Sequence, residues 1–457
     1  MSATRTQLDA DSLAILRRAL EKLDAGFRAL PPFESAPVDA RAMETILLEA
    51  AGRMQDNFPY FHPLYAGQML KPPHPIARLA YALAMYLNPN NHALDGGRAS
   101  SAMEKEAVAE LAAMFGWKTP EFLGHLTSGG TFANLEALWV AGQLAPGKKI
   151  LASEQAHYTH ARISGVLKLE FEAVACDDHA RLDLNALEKR LQAGDVGTVV
   201  ATIGTTATGS VDPLPEILAL RAKHKFRLHA DAAYGGYFTL AGNLGREARA
   251  AFDRVGECDS IVVDPHKHGL QPYGCGCVLF RDPAVGKFYK HDSPYTYFSS
   301  GDLHLGEISL ECSRAGAAAV ALWATQKLLP LTKGGEFAQR LERSRAAALA
   351  LHEKIKNEKE RFVASAFTPE LDIVVWAARG KDLAESSTRA RRIFHEAARH
   401  DLHLALAELP QRFFAPTGAG DLARQYGTLA CLRSVLMKPE HQDWLEPIWK
   451  ILTAAAS

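Results

Sequence analysis

S-I-V-V-D-P-H-K-H-G-L (260–270) is a short apolar run of strand length that breaks into an acid, two histidines and a lysine. F-R-L-H-A-D-A-A-Y-G-G (226–236), just upstream, ends the same way. Working outward, T-V-V-A-T-I-G (198–204), F-E-A-V-A-C (171–176), K-I-L-A-S (149–153) and F-L-G-H-L (122–126) lie on one side, and C-G-C-V-L-F (275–280) on the other. Helical segments separate most of these runs. Strands alternating with helices predict an α/β fold around a mostly parallel sheet with helices on both faces.

The flanks read differently. Asp11–Leu30 and Ala40–Arg53 have helical spacing. The proline-rich stretch 58–75 and the run N-P-N-N-H-A-L-D-G-G (88–97) read as loops. Ser101 and Glu104 have capping-box spacing and predict a helix opening there and running to about Phe115. After a break near 329–335, two helices (337–356 and 384–399), four strands (362–367, 371–377, 403–407 and 429–437) and a terminal helix predict a smaller α+β domain. The expected division is a helical segment over 1–95, a large domain over 96–330 and a small domain over 331–457.

Composition narrows the function. In 457 residues, 51 Lys+Arg balance 52 Asp+Glu, so a nucleic-acid partner is not expected. No apolar run approaches the ~18 residues of a membrane span, and no membrane partner is expected. The six cysteines are scattered without metal spacing, and no metal site is expected. With no signal-peptide pattern at the N-terminus, a reducing cytoplasm is the expected location. G-x-G-x-x-G, G-x-S-x-G and H-E-x-x-H are all absent.

In open α/β sheets ligands bind beyond the carboxyl ends of the strands. Five such ends carry small, polar or ionisable residues. Ser128, Gly129, Gly130 and Thr131 form either a phosphate cradle at a helix N-terminus or an ordinary tight turn. Lys267, partly buried at a strand end, would be an amine suited to a Schiff base. Asp231 is either a turn cap or a fixed anion facing a cationic ring nitrogen. His157 is either a capping histidine or a flat ring stacked on a planar cofactor. His266 is either a core histidine or a ligand contact. Together these elements describe a site for pyridoxal 5'-phosphate (PLP).

H-A-D-A-A-Y-G-G (229–236) and D-S-I-V-V-D-P-H-K-H-G-L (259–270) resemble the group II PLP-dependent amino-acid decarboxylases, which include glutamate, aromatic amino-acid and archaeal aspartate/tyrosine decarboxylases. The resemblance runs from about His62 to Pro439. T-S-G-G-T-F-A-N (127–134) resembles the family's phosphate loop, E-Q-A-H (154–157) its ring-stacking histidine segment, and A-T-I-G-T-T (201–206) the strand end whose threonine, here Thr206, lies near the cofactor.

The resemblance implies PLP fold type I and a homodimer with shared active sites. It implies α-decarboxylation of an L-amino acid to its amine and CO2. Cofactor contacts are implied at Ser128, Gly129, Gly130, Thr131, His157, Thr206, Asp231, Ala233, His266 and Lys267. H-P-L-Y-A-G-Q (62–68) implies Gln68 near the substrate, and L-R-S-V-L-M-K-P (432–439) implies Arg433 on its carboxylate. Tyr297, with Tyr295 as competitor, falls where the family has a mobile loop with a catalytic tyrosine. Arg98 stands where aromatic amino-acid decarboxylases have proline; if it faces the substrate side chain, acidic substrates are preferred. The alternatives are a PLP carbon–carbon lyase resembling sphingosine-phosphate lyase, or a catalytically silent PLP-fold binding protein.

Overall fold

The computed structural model describes residues 10–92, 94–290, 308–414 and 427–457. Three helices come first: α1 (Ala10–Ala25), α2 (Ala40–Met54) and α3 (Pro75–Met85). α1 stops before the expected Leu30 because Gly26 follows at once, and glycine is a poor helix former. Asp39 caps α2, its carboxylate accepting from Ala42 N at 3.0 Å. α3 begins at Pro75, where the missing N–H is harmless, so the expected loop over 58–75 ends as a helix start.

α4 (Leu94–Met114) corrects the expected opening at Ser101. The chain is already helical from Leu94, with one break at Gly97 (φ −157°, ψ 58°), so Ser101 lies inside the helix and is buried. Glu104 forms no capping box. Its carboxylate accepts from Leu126 N (3.0 Å), Asn91 Nδ2 (2.6 Å) and Arg314 Nη1 (2.6 Å). A buried carboxylate needs such partners more than the helix needs its cap.

The main sheet contains β1 (Leu123–Thr127), β2 (Lys149–Ser153), β3 (Phe171–Val174), β4 (Val196–Thr202), β5 (Arg227–Asp231), β6 (Ser260–Val263) and β7 (Gly276–Phe280). Their order is β1-β7-β6-β5-β4-β2-β3. β3, β2, β4, β5 and β6 run parallel; β7 is antiparallel to β6 and β1. Connecting helices are α5 (Gly130–Leu144), α6 (Thr159–Val166), α7 (Leu184–Leu191), α8 (Leu214–His224) and α9 (Arg246–Phe252). Ile261, Val262 and Val263 are wholly buried, as a strand covered on both faces requires.

The apolar stretch 317–324 lies in a helix, α10 (Gly316–Leu328), packed on α3 and α4. Next come α11 (Glu336–Asn357), β8 (Phe362–Ala364), β9 (Ile373–Ala378), α12 (Leu383–Ala398), β10 (Ala405–Pro410), β11 (Thr428–Val435) and α13 (Leu445–Ala455). β10, β11, β9 and β8, in that order, make an antiparallel sheet. The architecture is α/β, a mostly parallel seven-stranded sheet with helices plus a smaller C-terminal sheet domain. The two pack closely where β4 ends. Gly204 has φ +101°, and a Cβ there would lie 2.8 Å from Leu371 Cδ1 and 3.0 Å from Gly235 N. Among the described residues, no helix is long and apolar enough to cross a membrane.

Candidate active site

β2, β4, β5 and β6 point the same way, so their carboxyl ends open on one side of the sheet. A cavity of about 340 Å³ lies there. It gathers Ser128, Gly129, Gly130, Thr131, His157, Thr206, Asp231, Ala233, His266 and Lys267, the whole set expected to meet a cofactor. Residues to which the sequence assigns no role also line it, notably Thr202, Tyr234 and Asp264.

The glycine turn opens α5, where the N–H groups of Gly130 and Thr131 precede the helical ladder that begins with Phe132 N and Ala133 N, both donating to Gly129 O at 3.0 Å. A Cβ on Gly130 would sit 2.5 Å from Asp264 Oδ2, so a side chain there would displace the carboxylate that pairs with Lys267. Ser128 N donates to Glu311 Oε2 at 2.9 Å: a carboxylate oxygen already meets the turn, as anion-binding geometry predicts.

Lys267 projects from the turn after β6, and its Nζ lies 3.0 Å from Asp264 Oδ2. Asp264 is buried, so this ion pair orients the amine inside the cavity. His266 is mostly buried against Tyr273, ring centres 4.8 Å apart, and burial pushes its pKa down. Its Nδ1 and the Oδ1 of Asp264 are buried polar atoms with no hydrogen-bond partner among the described residues.

Asp231 ends β5. Its Oδ2 is 2.8 Å from His160 Nε2 and its Oδ1 accepts from Ala233 N at 3.2 Å. An ionised carboxylate only accepts hydrogen bonds, so His160 Nε2 must carry the proton. Burial alone would raise the Asp231 pKa. The hydrogen bond and charge of His160, with smaller contributions from His229 and Lys267, hold it well below the usual carboxylate range. His229 extends the support, 2.8 Å from Ser260 Oγ and 2.8 Å from Asn134 Oδ1. His157 Nδ1 accepts from Thr159 N at 3.3 Å, and burial lowers its pKa against the opposing pull of Asp231. His157 is thus a neutral ring at the cavity wall.

His160 was not anticipated. It sits at the opening of α6, three residues after His157, but His157 precedes the helix, so the spacing does not set the two side chains on one face. Nothing local names Asp231 as its partner.

The expected substrate residues divide. Gln68 and Arg433 meet, Nη1 to Oε1 at 3.1 Å. Arg433 is buried, and its Nε and Nη2 have no hydrogen-bond partner among the described residues. Neither residue lines the 340 Å³ cavity. Arg98 is exposed near the start of α4 and does not line it either. Tyr295 and Tyr297 lie outside the described residues. Among the described residues, no group of three or more His, Cys, Asp or Glu forms a metal site.

The family profile "Pyridoxal-dependent decarboxylase conserved domain" matches residues 59–379, and the chain belongs to that family of pyridoxal-dependent decarboxylases. It is 28% identical over 433 residues to an L-tyrosine decarboxylase of Enterococcus faecium, covering 70% of this chain and 69% of that one. It is 30% identical over 264 residues to a probable L-tyrosine/L-aspartate decarboxylase of Methanothermobacter thermautotrophicus, covering 57% and 70%. An L-aspartate decarboxylase of Thermococcus kodakarensis is 29% identical over 296 residues, covering 64% and 75%.

Among solved structures, rice (Oryza sativa) TDC with PLP and tryptamine superposes with a TM-score of 0.76 at 18% identity, covering 99% of each chain. Mouse CSAD in apo form gives 0.75 at 20%, covering 97% of this chain and 99% of that one. The protein is a PLP-dependent amino-acid decarboxylase, and the cavity fits its cofactor. The N–H groups of the glycine turn at a helix start suit a phosphate, Asp231 a protonated ring nitrogen, Lys267 an aldehyde carbon and His157 a flat ring.

Proposed function

We propose that Lys267 is the residue that carries PLP and that Asp231 faces its ring nitrogen. Ser128, Gly129, Gly130 and Thr131 would hold the phosphate, His157 would cover the ring, and Thr206, Ala233 and His266 would complete the walls. The observation that carries this reading is two pairings in one cavity: the Lys267 amine oriented by Asp264 at 3.0 Å, and the Asp231 charge maintained by His160 at 2.8 Å.

Bound PLP supplies the electron sink for the pair left when CO2 departs. The protein's own work is orientation and charge. Asp231, ionised over the whole physiological range, keeps a ring nitrogen protonated. Arg433 and Gln68 bind the substrate α-carboxylate, the guanidinium offering a bidentate fork. Tyr297, or its neighbour Tyr295, donates the proton to Cα; an amine-to-aldehyde product ratio altered in Tyr297→Phe but not in Tyr295→Phe decides for Tyr297.

The substrate is an L-amino acid, and we infer that it is tyrosine or aspartate, the substrates named for the relatives above. Arg98 is exposed and does not line this cavity, so a place beside the substrate side chain requires a partner subunit to complete the site. The test is CO2 release and amine formation across the standard L-amino acids. Release from both tyrosine and aspartate at background rate would sink this reading.

We further propose a homodimer with shared active sites. Supporting it, α2 buries none of its residues, and Leu13, Phe33, Ile46, Leu47 and Leu48 are exposed. A second copy would cover them; an active monomer in sedimentation would contradict this. A division at 1–95, 96–330 and 331–457 and a cytoplasmic location belong to the same reading. Limited proteolysis and cell fractionation test them in turn.

A further inference from the structure

Away from the cavity floor, one carboxylate of the smaller domain touches both chemical strand ends of the larger one. Asp372 immediately precedes β9 and is fully buried. Its Oδ1 accepts from the Tyr234 hydroxyl at 2.6 Å. Tyr234 lines the cavity three residues beyond Asp231. The other oxygen, Oδ2, lies 3.3 Å from His268 Nε2, next in the chain to Lys267.

The backbone ties the same residue to Arg433. Leu436 N donates to Asp372 O at 2.8 Å, and from there β9 and β11 run in register, Val435 opposite Ile373 and Arg433 opposite Val375. A shift of Asp372 is therefore a shift of the strand that carries Arg433. Burial pushes the Asp372 pKa up, opposed by the Tyr234 hydrogen bond, Lys71 and Arg433. Tyr234 is likewise pushed well above its usual value, so its phenol stays protonated and remains a donor.

We propose that Asp372 is a positioning residue: through its hydrogen bond from Tyr234 it latches the strand bearing Arg433 against the strand ends bearing Asp231 and Lys267, and so sets where a substrate α-carboxylate is held. This rests on the reading of Arg433 as the carboxylate-binding group. A misplacement of about 1 Å can cost ~10²-fold in turnover efficiency, so a fixed link between separate domains is needed wherever the two halves of a site lie on different sheets. The bond is buried and short, and Tyr234→Phe would leave Asp372 Oδ1 without this donor.

The experiment compares Tyr234→Phe, Asp372→Ala, Asp372→Asn and Arg433→Lys in the PLP-loaded enzyme, with L-tyrosine or L-aspartate as substrate, whichever is turned over. Tyr234→Phe and Asp372→Ala should each raise KM about tenfold, while the visible absorbance of the Lys267-bound cofactor and its retention on dialysis stay as in wild type. Asp372→Asn, which keeps an acceptor for Tyr234, should recover most of that KM. The double variant Tyr234→Phe/Arg433→Lys should be no worse than Arg433→Lys alone by more than about twofold, because both changes remove one contact. If Arg433→Lys raises KM and Tyr234→Phe does not, the latch is overturned and the Arg433 reading survives. Independent, multiplicative effects overturn it also. If Arg433→Lys leaves KM unchanged, the carboxylate reading falls and the latch with it.

Discussion

Asp231 and Asp372 are both buried aspartates at the edge of the same site, yet their ionisation is driven in opposite directions. Asp231 meets a histidine that can carry a positive charge, 2.8 Å from its Oδ2, and its pKa falls. Asp372 meets a phenol, 2.6 Å from its Oδ1, and its pKa rises. Both lose water; Asp372 also has His268 Nε2 3.3 Å from its Oδ2, but burial pushes the His268 pKa well down and keeps that ring neutral, so no charge-assisted donor offsets the burial of Asp372. Burial raises a carboxylate unless a charge-assisted donor outweighs it. The cofactor end of the cavity is thereby kept negative, whereas the corner between the domains is held by a hydrogen bond.

The largest test removes the amine at the cofactor end. Lys267→Ala should abolish amine formation while the fold survives, because Lys267 lies in a turn beyond β6 and is not part of the apolar core. Borohydride reduction of wild type followed by peptide mapping should find the label on Lys267; a label on another lysine contradicts the assignment.

A second test attacks the source of the difference. His160→Phe keeps a ring at the opening of α6 and removes the donor to Asp231. Turnover should fall by about 10²-fold, within the usual range for loss of one preorganised electrostatic contact. PLP should also dissociate faster from the apo-holo equilibrium measured by fluorescence. Asp231→Ala should be worse than His160→Phe, since it removes the charge itself; equal rates for Asp231→Ala and wild type would end its assigned role.

The two aspartates also predict opposite pH dependences of stability. Asp231, with a depressed folded pKa, contributes stability above its unfolded value, lost as pH falls below about 4 through the folded value. Asp372, raised from 3.8 to about 6, binds its proton more tightly folded than unfolded. It therefore gains stability as pH falls from about 6 towards 4 and loses that gain as pH rises. The melting-temperature difference between wild type and Asp372→Asn should move in favour of wild type over that fall, and Asp231→Asn should show no such rise. A pH-independent difference for Asp372→Asn would remove the contrast.

The smallest expected effect lies outside both corners. Arg98→Ala should change kcat/KM less than about twofold, because the side chain is exposed and does not line the cavity. A selective loss on aspartate with tyrosine unchanged would instead put Arg98 beside the substrate.

Much of this was legible before any coordinates. Lys149–Ser153 is a strand with the ends its apolar run predicted, and the five strand-end motifs do converge on one cavity. The capping-box reading at Ser101 failed for a specific reason: Glu104 is used by Leu126, Asn91 and Arg314, and two of those partners lie far away in sequence. His160 and Asp372 went unread for the same reason.

By itself, the sequence determined what depends on near neighbours. Apolar period sets strand or helix, glycine and proline set turns, and the motifs around Asp231 and Lys267 set the family. Tertiary structure alone decided the pairings that tune those groups: His160 with Asp231 across 71 residues, Tyr234 with Asp372 across 138, Gln68 with Arg433 across 365. Local periodicity acts over a few residues and survives in a one-dimensional reading. A buried charge is governed by whatever the sheet order brings within about 3 Å, and that order is a property of the whole chain.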